Sequence, residues 1–289
     1  MKVRWRAVLL MLLLTAALFG CGKEESPALL KMTFLDTGKS DCIVIEAGES
    51  VVVNDAADED DQEMICEFMD SLQTQRIEYL ILSHFDKDHI GSAAKLLRRY
   101  EVGCVLMPDY QENSEPYLAL MEALGETETA SRRLRQNYQF SLEGIEFYVD
   151  APREVSYEND NNYSLITAVT NNRNGILLMG DAQKQRTEEL LDSALAQKRW
   201  DLIKMPHHGD YNKKLRDLFT KVQPKYAVLT AGAERSRVEE ETLALLESCR
   251  CSAYYTDEGT VTVTSDGVNL QVDQDSSVRP EMSESIAIE

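Results

Sequence analysis

The sequence predicts an α/β domain in which two mixed β-sheets are covered on their outer faces by helices. Three observations lead to it. Apolar segments with strand character recur along the chain, amphipathic stretches of helical period lie between several of them, and the early strands follow one another closely whereas the later ones alternate with helices. The 289 residues are 43% hydrophobic, which supplies a sizeable core, and no repeat of roughly 20–50 residues is evident. A single domain follows.

Strand character falls at residues 31–35, 42–46, 50–53, 77–82, 103–107, 145–149, 163–169, 175–179, 201–204, 225–230, 252–255 and 260–264. Helical faces are marked by Ile65, Phe68, Met69 and Leu72, then by Leu118, Met121 and Leu124. Leu190, Leu191, Ala194 and Leu195 mark a further one, and Leu215, Leu218, Phe219 and Val222 the last. Residues 92–100 read as a short helix.

The ends of the chain differ from its middle. Lys2, Arg4 and Arg6 precede an apolar run from Ala7 to Leu18 that ends at Gly20-Cys21, the layout of an export signal too short to span a bilayer. Leu18-Phe19-Gly20-Cys21 resembles a lipobox, so residues 1–21 are expected to direct lipid attachment at Cys21, with an uncleaved anchor as the alternative. Either way the domain sits outside the cytoplasm, held to the outer face of the cytoplasmic membrane as a lipoprotein would be. Residues 22–29 read as a tether, 30–272 as the domain and 273–289 as a flexible polar tail.

The formal charge is −20, and removing residues 1–20 takes away three positive and no negative side chains, leaving −23. A field of that sign opposes binding of a polyanion such as duplex DNA. Of six cysteines, setting aside Cys21 leaves five, with no CxxC pair, so neither a disulfide framework nor a zinc ribbon is expected.

The chemistry concentrates at strand ends. After the apolar run 77–82, four potential metal ligands, His84, Asp86, Asp88 and His89, fall within six positions, and Gly91 lets the backbone turn. In an extended exit loop, side chains 84 and 86 share a side, while 88 and 89 turn toward a second position about 3.5–4 Å away, the spacing of a two-metal centre. The chain has only four histidines, and the other two, His207 and His208, follow the strand segment 201–204. A third strand, 176–179, ends in Gly180-Asp181, whose carboxylate is placed to bridge two ions.

These residues carry a resemblance. His84-Phe85-Asp86-Lys87-Asp88-His89 resembles the HxHxDH motif of the metallo-β-lactamase superfamily, in the HxDxDH form of the hydrolase domain of ComEC-type competence proteins. Leu35-Asp36-Thr37-Gly38-Lys39-Ser40-Asp41-Cys42-Ile43 resembles that family's DVGQGD element, and Val52-Val53-Asn54-Asp55-Ala56 its IDxG element. Asn161-Asn162-Tyr163-Ser164-Leu165 resembles its Asn/Ser strand, Met179-Gly180-Asp181-Ala182 its GDA, and Pro206-His207-His208-Gly209 its PHHGS. Residues 224–228 and 256–261 resemble its closing strands, so the likeness spans about residues 31–272.

The resemblance implies a four-layer αββα sandwich and two divalent cations, Zn or Mn. His84, Asp86 and Asp181 would hold one, and Asp88, His89 and Asp181 the other. His207 and His208 would face the substrate, with His207 completing a metal shell. Two cations lower the pKa of a bridging water, which Asp88 would orient as nucleophile, and a histidine would donate a hydrogen bond to the developing oxyanion or protonate the leaving oxygen. The aspartate at position 86 makes the site harder, which admits Mn²⁺ beside Zn²⁺. The family's late His-Pro is missing from residues 231–238, which weakens the second site, and Asn161 or Asn162 is available to stand in for a further absent histidine. Asp210 replaces the serine of PHHGS and is expected to cap the following helix, with a metal ligand as the alternative.

The expected activity is hydrolysis of a phosphodiester in a small or polymeric phosphate ester, single-stranded DNA among them. The alternative is a degenerate fold that binds a partner at the envelope without turnover.

Overall fold

The computed structural model describes residues 29–230 and 238–275. The signal and lipobox expected over residues 1–21 lie outside the described residues, as does the tether except for Leu29.

The first sheet is built mainly from the N-terminal half. It contains β1 (Leu30–Phe34), β2 (Ile43–Ala47), β3 (Ser50–Asn54), β4 (Arg76–Ile81), β5 (Glu101–Pro108) and β6 (Ser131–Leu134). The second contains β7 (Tyr138–Leu142), β8 (Ile145–Asp150), β9 (Ile166–Asn171), β10 (Asn174–Leu178), β11 (Leu202–Lys204), β12 (Tyr226–Leu229) and β13 (Ser252–Tyr255). The hairpin of β14 (Thr260–Ser265) and β15 (Leu270–Asp275) then returns to the first sheet beside β1. The orders are β15-β14-β1-β2-β3-β4-β5-β6 and β13-β12-β11-β10-β9-β8-β7. Each sheet is antiparallel on one side and parallel on the other, switching at β3 in the first and β10 in the second.

The two-residue period of a strand sorts its side chains between two cores. Val52 and Ile81 point between the sheets with Phe34, Ile45, Phe147, Val169, Ile176 and Leu178. Their neighbours Val51, Val53 and Leu80 point outward, under α1 (Gln62–Ser71), α2 (Lys87–Ile90), α3 (Ala93–Arg99) and α4 (Glu115–Thr127). On the second sheet Leu177 and Ile203 face outward beneath α5 (Lys184–Leu191), α6 (Lys214–Val222) and α7 (Glu240–Ser248). Three apolar layers thus separate helix, sheet, sheet and helix, the four-layer αββα sandwich expected from the sequence. Each fully buried aliphatic side chain contributes roughly 1.5–3 kcal/mol to it.

The differences from expectation fall at the edges. β6, β7 and β15 were not among the strand segments expected, because an edge strand with a solvated face carries residues such as Arg132, Arg133, Gln271 and Asp273. β15 runs to Asp275, so the domain extends beyond 272 and the expected tail loses its first residues. The buried face of α4 is Tyr117, Leu120 and Ala123, with Leu118 turned to solvent. The phase is set by Tyr117, which packs on Phe85 beside the loop that follows β4. The helix expected through Leu195 breaks at Ser193, whose side chain accepts from the Leu195 N–H and starts a separate 3₁₀ turn.

Candidate metal centre

Parallel strands end together, so whatever follows them is gathered at one rim, and ligands of open α/β sheets bind at that carboxyl edge near the switch in strand direction. Here β3 delivers Asp55, β4 the loop from Ser83 to Asp86, β10 Gly180-Asp181, and β11 His207-His208.

The loop after β4 is held from behind. The Asp55 carboxylate accepts the Ser83 N–H at 2.6 Å through one oxygen, and its other oxygen lies 3.0 Å from His89 Nδ1. Ser83 Oγ lies 3.0 Å from His84 Nδ1, and the two imidazoles, both fully buried, are 4.2 Å apart between centroids. At the end of β10, Gly180 has φ +51°, and a Cβ there would sit 2.7 Å from Ser83 Cβ, so only glycine lets the two strand ends close up. The Asp181 N–H donates to Ser164 Oγ at 3.1 Å, which aims the carboxylate across the gap. At the end of β11, His207 and His208 are both left-handed, with φ 50° and 55°, a strained pair of the kind found at functional sites.

Asp181 is the hub. Its Oδ1 lies 3.2 Å from His89 Nε2, and its Oδ2 lies 3.3 Å from His208 Nε2, 3.9 Å from His207 Nε2 and 4.0 Å from His84 Nε2. Asp88 Oδ2 lies 3.2 Å from His208 Nε2, and Asp86 Oδ2 3.5 Å from His84 Nε2. The structure therefore brings together all the residues expected at the site, though unequally. His84, His89, His208 and Asp181 are buried, Asp86 has a side chain 46% exposed, and His207 stands at the rim at 26%. The compact groups of possible ligand atoms contain His208 and not His207. His207 Nδ1 instead lies 3.1 Å from Asp210 Oδ2, and Asn212 Oδ1 accepts the Lys214 N–H at the start of α6, which corrects the expectation that Asp210 caps it. Asn162 Oδ1 is occupied by the Arg186 N–H, a structural bond.

Hydrogen bonding sets the two nitrogens of each ring apart. His89 Nδ1 faces Asp55, His208 Nδ1 lies 3.0 Å from Thr230 Oγ1, and His84 Nδ1 faces Ser83. Each ring thus uses Nδ1 on the protein and turns Nε2 toward Asp181. Those three Nε2 atoms and Asp181 Oδ1 are buried without a hydrogen-bond partner. Buried polar atoms almost always have one. Four that lack one and converge within contact distance form a donor set suited to a divalent cation, with the second-ring-nitrogen support usual for metal-bound histidine.

The charges agree. Burial works against ionisation at Asp181, but His89 and His208 outweigh it and hold its carboxyl well below the usual range. Burial likewise opposes an imidazolium at His208, yet Asp181, Asp41 and Asp88 pull its pKa up to about 10. The site wants positive charge, and a cation competes with those protons for it. His207 goes the other way, lowered by burial despite Asp181 and Asp210.

Sequence reasoning assigned no role to Asp41, Asp55, Lys204 or Thr230. Asp41 and Asp55 lay inside the motifs read as family elements. Lys204 had a signal of its own, as a lone cation in the apolar run Leu202-Ile203-Lys204-Met205, and it proves fully buried.

Residues 32–232, more than half of the chain, match the Metallo-beta-lactamase superfamily. The chain belongs to this superfamily. This superfamily member is 24% identical over 203 residues to ComE operon protein 3 of Bacillus subtilis, covering 69% of the chain and 26% of that protein. It is 28% identical over 156 residues to Recombination protein 2 of Haemophilus influenzae, covering 54% of the chain and 18% of that protein. The chain thus spans about a quarter or less of the length of these curated relatives, and the first agrees with the ComEC-type resemblance carried by the motifs. Its fold is similar to the metallo-beta-lactamase fold protein YhfI from Bacillus subtilis, with TM-score 0.57 and 10% identity over 82% of the chain and 100% of that structure. It is also similar to Igni18, a metallo hydrolase from Ignicoccus hospitalis, with TM-score 0.50 and 12% identity over 81% and 98%.

Proposed function

We propose that this superfamily member is an exported, lipid-anchored hydrolase that uses two divalent cations, Zn or Mn, to cleave a phosphodiester. The observation that carries the reading is the convergence of the four partnerless buried atoms from His84, His89, His208 and Asp181, with Asp88 at their edge. His84, Asp86 and Asp181 would hold one ion. Asp88, His89, His208 and Asp181 would hold the other, with His208 in the place the sequence suggested for His207. The late histidine missing from residues 231–238 is then made good by the left-handed turn that swings His208 inward. Cations bound there supply a water of lowered pKa and stabilise charge on the phosphoryl oxygens.

The chain's own groups do the rest. Asp88 orients the attacking water. His207, on the open side and facing Asp210, donates a hydrogen bond to the developing oxyanion. A cavity of about 590 Å³ opens beside Asp86 and Asp88, walled by Asp58, Phe85, Glu112 and Pro116, and receives the rest of the substrate. Its acidic wall favours a compact phosphate ester or a single strand over duplex DNA. The ComEC-type resemblance of the motifs makes single-stranded DNA the polymer to assay.

The test is hydrolysis of bis(p-nitrophenyl) phosphate and single-stranded DNA by wild type and Asp88→Ala. A loss on the order of 10²-fold or more is expected in the variant, by analogy with deletion of a proton-transfer or orienting group. Equal turnover sinks the assignment, and bound metal without turnover of either substrate favours the non-catalytic binding protein.

Export rests on the N-terminal pattern of Lys2, Arg4 and Arg6 before an apolar run and Cys21. Expressed in a bacterium, the chain is expected in the membrane fraction and Cys21→Ala in a precursor of altered mobility. Identical processing and fractionation of the two would contradict lipid attachment at Cys21.

A further inference from the structure

Behind the proposed ligands lies a charged residue with no place in that reading. Lys204, in β11 between β10 and β12, is fully buried. Its ammonium donates to Asp41 Oδ2 and to the Gly180 carbonyl at 3.3 Å, and lies 3.8 Å from Asp181 Oδ1. A buried ammonium is costly unless it is paired, so this one holds Asp41 firmly.

Asp41 in turn stands behind two of the imidazoles. Its Oδ1 accepts from Thr230 Oγ1 at 2.5 Å, and Thr230 Oγ1 lies 3.0 Å from His208 Nδ1. The same Oδ1 is 3.5 Å from His208 Nδ1, and Oδ2 is 3.7 Å from His89 Nδ1. By distance alone Asp41 would qualify as a ligand, since it groups with Asp181 and His208, and again with Asp55 and His89, within 4.8 Å. The ammonium of Lys204 fills the space between Asp41 and Asp181 that such an ion would need.

We infer, resting on the two-cation reading above, that Lys204 is a positioning residue: a built-in cation that keeps Asp41 on the Nδ1 side of His89 and His208, so that both turn Nε2 toward the bound ions.

The test is titration of the metal-stripped full chain with Mn²⁺ and with Zn²⁺, comparing wild type, Lys204→Met, the double variant Lys204→Met/Asp41→Asn, and Thr230→Val. The double variant leaves no unpaired buried charge, and Thr230→Val is nearly isosteric, so the two keep the fold testable by circular dichroism and melting if Lys204→Met does not fold. The expected result is that Thr230→Val and whichever Lys204 variants fold bind at least one ion about 10–100-fold more weakly, the usual effect of losing a group that orients a ligand. Wild-type affinity for both ions in Thr230→Val or in either folded Lys204 variant overturns the inference. A wild-type chain that takes up no metal overturns the two-cation reading itself, which is a different result.

Discussion

Asp181→Asn is expected to bind at most one divalent cation and to lose on the order of 10²–10³ in kcat/KM on a phosphodiester, the several kcal/mol that a metal ion contributes to transition-state charge. The expectation follows from its place. Among the described residues, Asp181 is the one carboxylate within 4.0 Å of Nε2 on His84, His89, His207 and His208 together. Asparagine keeps the volume and one acceptor but removes the charge that both proposed ions would share. Elemental analysis of the purified protein and steady-state hydrolysis read the two effects. A melting experiment adds a check, because a bound ion stabilises the native state by about 4 kcal/mol at a thousandfold excess over its Kd. Chelation should lower the melting temperature of the wild type by more than that of Asp181→Asn.

The second large effect separates two neighbouring histidines. His208→Ala is expected to lose one ion and, with it, activity by a factor similar to that of Asp181→Asn. His207→Ala is expected to retain both ions and lose about 10²–10³-fold in turnover, the range of a hydrogen-bond donor to the oxyanion. The split follows from geometry: His208 Nε2 is buried between Asp88 and Asp181 at 3.2 and 3.3 Å, while His207 is at the rim and bonded to Asp210. Metal analysis beside turnover checks it. Loss of metal in His207→Ala with retention in His208→Ala would reverse the roles.

The sequence put His207 in a metal shell, whereas the compact groups of possible ligand atoms contain His208. Adjacent histidines after a strand look equivalent, and which one turns inward depends on two successive positive φ angles that nothing in Pro206-His207-His208-Gly209 announces. The cluster from His84 to His89 was legible because its ligands are neighbours in the chain and leave one strand end together. Asp41, Lys204 and Thr230 were not, since Asp41 meets Lys204 across 163 positions and Thr230 across 189, and only the folded sheets bring them together. The fold shows the same division. Strands buried on both faces, such as Val51-Val52-Val53 and Ile176-Leu177-Leu178, announce themselves by apolar content. The edge strand Ser131-Arg132-Arg133-Leu134 does not, because it is strand by pairing with β5 and not by composition. Similarly, α4 was recognised as a helix, but its phase was set by Tyr117 meeting Phe85, a contact made in three dimensions.

The central claim is that one site holds two ions on the atoms named above. Anomalous scattering from crystals of the chain grown with Mn²⁺ tests it most directly. Two peaks about 3.5–4 Å apart, flanking the Asp181 carboxylate with one against His84 and the other against His89, His208 and Asp88, are the predicted result. No peak at Asp181, or a peak bound by Asp41 in the place of the Lys204 ammonium, would contradict it.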